Sequence, residues 1–145
     1  MAKEHKVIHQ LIRDVIALRV GIKQFYFQKV KELNLDVTYE MVQVLGALWR
    51  EEELNQQEIA DSVQKSKASV TPLIDNLCKR GLVQRIPDPL DRRNNKISVT
   101  DKGKEYQEKL EPVQIELYKR IIHNSQIKDI SEISNQLRLL KKAIE

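Results

Sequence analysis

Between Gly81 and Asp101 the sequence changes texture, and this change constrains the fold more than any other feature. Up to Gly81 the apolar residues recur at steps of three and four. Then Leu82-Val83-Gln84-Arg85-Ile86 reads as a strand, and Lys96-Ile97-Ser98-Val99-Thr100 alternates polar and apolar residues as a half-buried strand does. The stretch between them, Pro87-Asp88-Pro89-Leu90-Asp91-Arg92-Arg93-Asn94-Asn95, is turn-rich and charged, with Arg92 and Arg93 side by side. From Asp101 onward helical periodicity returns. The pattern predicts a mainly α chain carrying one small β-hairpin with a long charged tip.

The helices are bounded by recognisable signals. Over 5–33, Ile8, Leu11, Val15, Leu18, Ile22 and Phe25 form a heptad-type seam, and Val7, Ile12, Ile16 and Val20 add a second apolar edge. Thr38 is placed to cap a second helix containing Met41, Val42, Val44, Leu45 and Leu48. Asn55-Gln56-Gln57-Glu58 has capping-box spacing and opens a short helix to about Val63, with Ile59, Ala60 and Val63 inward. Ser66 caps the next helix, which runs to Arg80. Gly81 ends it by supplying a left-handed residue. Thr100 or Asp101 caps a long helix to about His123, with Tyr106, Leu110, Val113, Leu117 and Ile121 as its stripe and a kink expected at Pro112. Asp129-Ile130-Ser131-Glu132 starts a last helix with Ile130, Ile133, Leu137, Leu140 and Ile144 on one side. Aromatics make up only 5% of the chain, so Leu, Ile and Val must fill the core.

The charge is localised. Residues 64–103 hold nine Lys or Arg and four Asp, a balance of +5 in a chain whose net charge is +4, so the remainder sums to −1. A local basic excess is the footprint expected of a nucleic-acid or anionic surface, with a solvated face as the plain alternative. The single cysteine, Cys78, excludes an internal disulfide and fits a reducing compartment. The first residues, MAKEHKVIHQ, lack the apolar block of a signal peptide, and no apolar run approaches the roughly 18 residues that span a bilayer. A soluble, cytoplasmic protein without membrane partners is the expectation. Gly21, Gly46, Gly81 and Gly103 form no phosphate-binding loop, and no nucleophile elbow or zinc-protease motif is present. An enzyme is therefore not expected. His5 and His9 are four apart but lack a third ligand, so no metal or cofactor is assigned. Cys78 is a redox candidate only if its thiol is exposed and of low pKa; otherwise it is a small buried hydrophobe.

Helix, short helix, capped helix, hairpin with a basic tip, helix: this order is a winged helix-turn-helix. Its third element should enter the major groove of double-stranded DNA by its leading residues. That places Ser66, Lys67, Ser69 and Thr71 at the groove and turns Val70, Ile74 and Leu77 back into the domain. Pro72, inside this helix, has two readings. It either aims the leading turn and offers an apolar ring to a thymine methyl, or it is a tolerated kink. The surplus apolar seams at both ends of the chain point to a homodimer on a pseudo-palindromic operator. A protein-interaction adaptor that keeps the winged shape without specific DNA binding is the alternative. RNA binding lacks an aromatic stacking platform.

The residues resemble the MarR family of bacterial transcriptional regulators. The resemblance lies in Asn55-Gln-Gln-Glu-Ile-Ala60, Ser69-Val-Thr-Pro-Leu-Ile-Asp-Asn-Leu77, Lys79-Arg-Gly-Leu-Val83 and Asp91-Arg-Arg-Asn-Asn-Lys-Ile-Ser-Val-Thr-Asp-Lys-Gly103. The last stretch fits the family's wing signature of Asp-x-Arg, a spacer, then apolar-Thr-x-x-Gly. The resemblance implies a single domain over 1–145, with a winged unit at 36–100 and dimerisation helices at 5–33 and 101–145. It implies that Arg93 reaches the minor groove or its phosphates, aimed by a carboxylate pairing from Asp91. Arg92, Asn94, Asn95 and Lys96 would be auxiliary phosphate contacts. It also implies a pocket for a small aromatic or amphipathic effector, with Phe25, Tyr26, Tyr39, Trp49 and Arg50 as candidates, and a repressor relieved by that effector.

Overall fold

Side chains at the helix starts satisfy orphan backbone donors, and each such cap stabilises by about 1 kcal/mol. In the computed structural model, which describes residues 2–91 and 93–145, α1 (Lys3–Glu32) is followed by α2 (Tyr39–Arg50). Thr38 Oγ1 accepts the Met41 N–H at 3.2 Å. After β1 (Glu53–Asn55) comes α3 (Gln56–Ser62), with its capping box complete. Asn55 Oδ1 accepts the Glu58 N–H at 2.8 Å, and Glu58 Oε1 accepts the Asn55 N–H at 3.0 Å. Ser66 caps α4 (Lys67–Lys79). Three helices close in the same way. Asn34, Gln64 and Gly81 take φ of 53°, 58° and 69°, and the next residue's N–H reaches back to Val30, Ala60 and Leu77 at 3.0, 2.9 and 3.0 Å. These are Schellman-type ends. Gly81 was expected from sequence; Asn34 and Gln64 were not.

The hairpin becomes a three-stranded antiparallel sheet of order β1-β3-β2, with β2 at Val83–Ile86 and β3 at Lys96–Val99. Leu54 and Arg85 both lie opposite Ile97. β1 escaped the sequence reading because three residues, preceded by Glu51 and Glu52, are too few for alternation to be read. The core sits where α2, α3, α4 and the sheet meet. Val44, Leu45, Ile59, Ala60, Val70, Ile74, Leu77, Leu82 and Ile97 are fully buried there. A fold that is mainly helical with this small sheet is a winged helix, as the sequence order implied.

Residues Thr100 and Gly103 join the sheet to α5 (Asp101–Asn124). Thr100 Oγ1 donates to the Gly81 carbonyl at 2.5 Å and accepts the Gly103 N–H at 3.2 Å. The Thr100 N–H donates to the Leu82 carbonyl at 3.1 Å. A Cβ on Gly103 would collide with that same carbonyl and with Val99 Cγ1. The Thr-x-x-Gly pattern is thus a weld between the first turn of α5 and the start of β2.

The chain divides into two compact units, one running to Val113 and one from Gln114 to Glu145. In the first, α1 buries only Tyr26 and Val30, while Val7, Ile8, Ile12, Ile16 and Leu18 remain more than half exposed or nearly so. The second holds the end of α5 and α6 (Ile130–Ile144), started by Asp129 Oδ1 accepting the Glu132 N–H at 2.9 Å. No residue of α6 is buried, although Ile133, Leu137 and Leu140 line one side of it. Among the described residues no helix is long and apolar enough to cross a membrane.

Candidate nucleic-acid interface

The leading turn of α4 is held by serine hydroxyls. Ser66 Oγ accepts the Ser69 N–H at 3.1 Å and lies 2.8 Å from Ser69 Oγ. Ser66, Lys67, Ala68, Ser69 and Pro72 are exposed, and Val70, Ile74 and Leu77 are fully buried on the other side. Thr71 is half-buried, and its hydroxyl is already engaged. Thr71 Oγ1 donates to the Lys67 carbonyl at 3.0 Å and accepts from Gln56 Nε2 at 2.8 Å. It is therefore not the open polar reader that spacing alone implied. Pro72 lies inside α4, and Asn76 Nδ2 donates to its carbonyl at 2.9 Å.

The wing tip is built on aspartates. Asp88 Oδ1 accepts the Leu90 N–H at 2.9 Å, and Asp91 Oδ1 accepts the Arg93 N–H at 3.0 Å. The expected Asp91–Arg93 carboxylate–guanidinium pairing is replaced by this backbone contact. Two residues of separation suit an Asx turn, which fixes where the Arg93 backbone sits. Arg93 is exposed; Asn94, Asn95 and Lys96 are half-buried; Arg92 lies outside the described residues. Lys96 is not an unengaged phosphate contact: its Nζ lies 3.6 Å from Glu58 Oε1, the carboxylate of the capping box.

Two arginines lock α4 in place, and neither stood out in the sequence. Arg85 of β2 pairs with Asp75 of α4, and its Nη1 donates to Cys78 Sγ at 3.6 Å. Arg80 Nε donates to the Asp36 carbonyl at 2.8 Å, and Nη1 to the Asn76 carbonyl at 3.2 Å. Lys102 Nζ reaches the Arg80 carbonyl at 2.8 Å, and the Asp36 N–H points at Tyr106 Oη at 3.4 Å. Arg85 and Asp75, Lys102 and Arg80, Arg80 and Asp36, and Asp36 and Tyr106 lie 10 to 70 residues apart, so only the folded geometry reveals these pairings. Burial pushes the Cys78 thiol above its ordinary pKa, outweighing the pull of Arg85. The direction is opposite to that of an activated thiol.

Of the effector candidates, three come together. Phe25 and Tyr26 meet edge to face at 5.8 Å between centroids, and Tyr26 and Tyr39 lie 5.3 Å apart. Gln43 Nε2 donates to Tyr39 Oη at 3.3 Å, while its buried Oε1 has no partner. Burial raises the Tyr39 pKa. Trp49 and Arg50 stand at the far end of α2, where Arg50 Nη2 donates to Ser62 Oγ at 3.3 Å. His5 and His9 are exposed, and no group of three metal-ligating side chains occurs among the described residues.

Comparison with known proteins accords with this geometry. The MarR family model matches residues 37–94. The HTH-type transcriptional regulator SarZ of Staphylococcus aureus (strain MRSA252) is 31% identical over 105 residues, 72% of this chain and 70% of SarZ. The crystal structure of overoxidized AbfR bound to DNA superposes with a TM-score of 0.81 at 25% identity, covering 99% of this chain and 98% of that one. Wild-type MarR from E. coli in its apo form shares the fold, with a TM-score of 0.68 at 20% identity over 93% of this chain and 97% of its own. A winged unit of this build, matched along most of its length by a regulator of the same type, places the chain in the MarR family of transcriptional regulators, which are non-enzymatic DNA-binding proteins.

Proposed function

We propose that the chain acts in the cytoplasm as a homodimer that binds a pseudo-palindromic operator in double-stranded DNA and represses transcription until a small molecule relieves it. The observation that carries the reading is the exposure of the Lys67–Ser69 turn of α4 and of Arg93 on the wing, within a window of +5. Ser66, Lys67, Ser69 and Pro72 face the major groove; Arg93 reaches the flanking minor groove or its phosphates from the turn that Asp91 fixes. Arg92, Asn94 and Asn95 add phosphate contacts, and Lys96 does so by exchanging Glu58 for a phosphate. That AbfR, a protein of the same fold, was solved bound to DNA supports DNA binding by this fold.

Dimerisation rests on the exposed apolar faces of α1 and α6. Side chains such as Val7, Ile8, Ile16 and Leu139, each more than half exposed, leave a large area for a second copy to cover. The effector would bind at the Phe25–Tyr26–Tyr39 cluster, where Gln43 Oε1 offers a buried acceptor. Its action requires unequal affinity for two states of the dimer.

Selection of tight binders from a random duplex pool, then titration of the winner at several salt concentrations, tests the reading. A palindromic winner with half-sites about 10 bp apart and a steep salt slope is expected. Weak binding indifferent to sequence would overturn it and leave an interaction adaptor. A compound that binds tightly without changing operator affinity would remove the effector mechanism.

A further inference from the structure

The reading face of α4 is poorer in free polar groups than its sequence implies. A hydroxyl carries one proton. That of Thr71 goes to the Lys67 carbonyl, and a lone pair of the same oxygen receives Gln56 Nε2. Ser66 and Ser69 spend one of their two hydroxyl protons on each other, and Ser66 Oγ also caps the helix. Pro72 has neither a side-chain donor nor a backbone N–H. At roughly 100° per residue, Ala68 and Pro72 lie about 180° around the helix from the centre of the buried Val70–Ile74–Leu77 stripe. Both are exposed, four residues apart on one face, and Lys79 lies on the same line. This apolar pair, diametrically opposite the buried stripe and near Lys67, lies outside the core. With its oxygen held back toward Lys67, Thr71 keeps a methyl in one of the other staggered positions.

We infer that α4 reads thymine 5-methyl groups in the major groove, through the Pro72 ring and Ala68 with the Thr71 methyl at the margin, and that Gln56 is a positioning residue holding Thr71 in that rotamer. The inference rests on the DNA-binding role proposed above and specifies what the reading helix selects. A thymine methyl is the one apolar group on the major-groove edge of the bases, and Ala and Thr methyls are among its usual contacts. Lys67 and Ser69 supply the remaining polar contacts, and the basic surroundings hold the duplex against the apolar pair.

Deoxyuridine tests this directly, because it pairs as thymine does and lacks only the 5-methyl. An operator is first selected with the full-length protein; each thymine is then replaced singly and in symmetric pairs, and affinity is read by fluorescence anisotropy. Burying one methyl is worth about fourfold in affinity, so a thymine under Pro72 should lose about fourfold singly and about fifteenfold as the symmetric pair. Pro72→Ala restores a helical N–H and should keep the fold, yet its affinity should no longer distinguish thymine from deoxyuridine at that position. Gln56→Ala releases Thr71 and should alter preference at a neighbouring base pair while leaving the salt slope unchanged; unaltered preference would overturn its positioning role. Tight operator binding that ignores every deoxyuridine replacement, or a Pro72→Ala protein with undiminished methyl sensitivity, would overturn the inference while leaving DNA reading intact. A pool that yields no operator at all would overturn both.

Discussion

Replacing Gly103 with Ala should destabilise the protein, against the usual preference of a helix. In an unobstructed helix interior Gly→Ala gains about 1 kcal/mol. At Gly103 the new methyl would stand against the Leu82 carbonyl and Val99 Cγ1, nearer than Cβ atoms are found to approach. The carbonyl is backbone, and it already accepts the Thr100 N–H at 3.1 Å, so it cannot swing aside as a side-chain end would. Overpacking of this kind costs about 1–3 kcal/mol. Displacing the Thr100 bond adds about 1 kcal/mol. Set against the helical gain, the net loss is about 1–3 kcal/mol, and at roughly 3 °C per kcal/mol the Tm should fall by about 3–9 °C. Gly46 is the control: it lies within α2, and an added Cβ there meets nothing within 4 Å. Gly46→Ala should raise the Tm by about 3 °C. Both variants are melted by far-UV circular dichroism at one fixed protein concentration, since self-association moves Tm. A Gly103→Ala protein that melts with its parent, or above it, refutes the close approach.

Lys23 Nζ lies 2.8 Å from Glu40 Oε1, and this hydrogen bond holds the Glu40 carboxyl below the ordinary carboxylate range. Its stabilisation is present above the unfolded pKa and is lost as pH falls through the lowered folded value. Glu40→Gln should therefore lower Tm slightly near neutral pH, by no more than about 1 kcal/mol for so exposed a pair, and should melt with the parent once both are acidified below that value. Asp75→Asn and Arg85→Ala should each weaken operator binding several-fold by loosening α4 from β2, and the double variant should be no worse than either; additive losses would dissolve the pair. Cys78 should react with iodoacetamide at pH 8 more slowly than a free thiol and speed up on unfolding, because burial raises its pKa. A reaction as fast as free cysteine in the native protein would count against that.

Local chemistry made most of the fold legible. Thr38, Asn55, Ser66 and Asp129 announce helix starts because the cap and its target lie three residues apart, and each makes that contact. Strand β3 was readable from alternation and β2 from its strand-like run, whereas β1 needed a partner across the sheet to exist at all. The site was less legible for the same reason. Exposure of Lys67, Ser69 and Pro72 follows from helical period and the buried stripe opposite. Nothing local says that Gln56 holds Thr71, that Lys96 leans on Glu58, or that Asp91 serves a backbone amide rather than a guanidinium. Those are contacts chosen by geometry among several partners the sequence offers.

The anchorage at Arg80 makes α4 a lever. At its last turn the helix is fastened to Asp36, in the segment between α1 and α2, and through Lys102 to the first turn of α5. Its other end, thirteen residues away, carries Lys67 and Ser69. At 1.5 Å per residue that arm is about 20 Å long, so a tilt of about 3° at the Arg80 pivot carries the leading turn about 1 Å. A hydrogen bond to a base edge does not survive much more than that. If Lys67 and Ser69 meet base edges as proposed, a small tilt where α1 hands over to α2 is enough, at the far end of the arm, to decide whether a base is read.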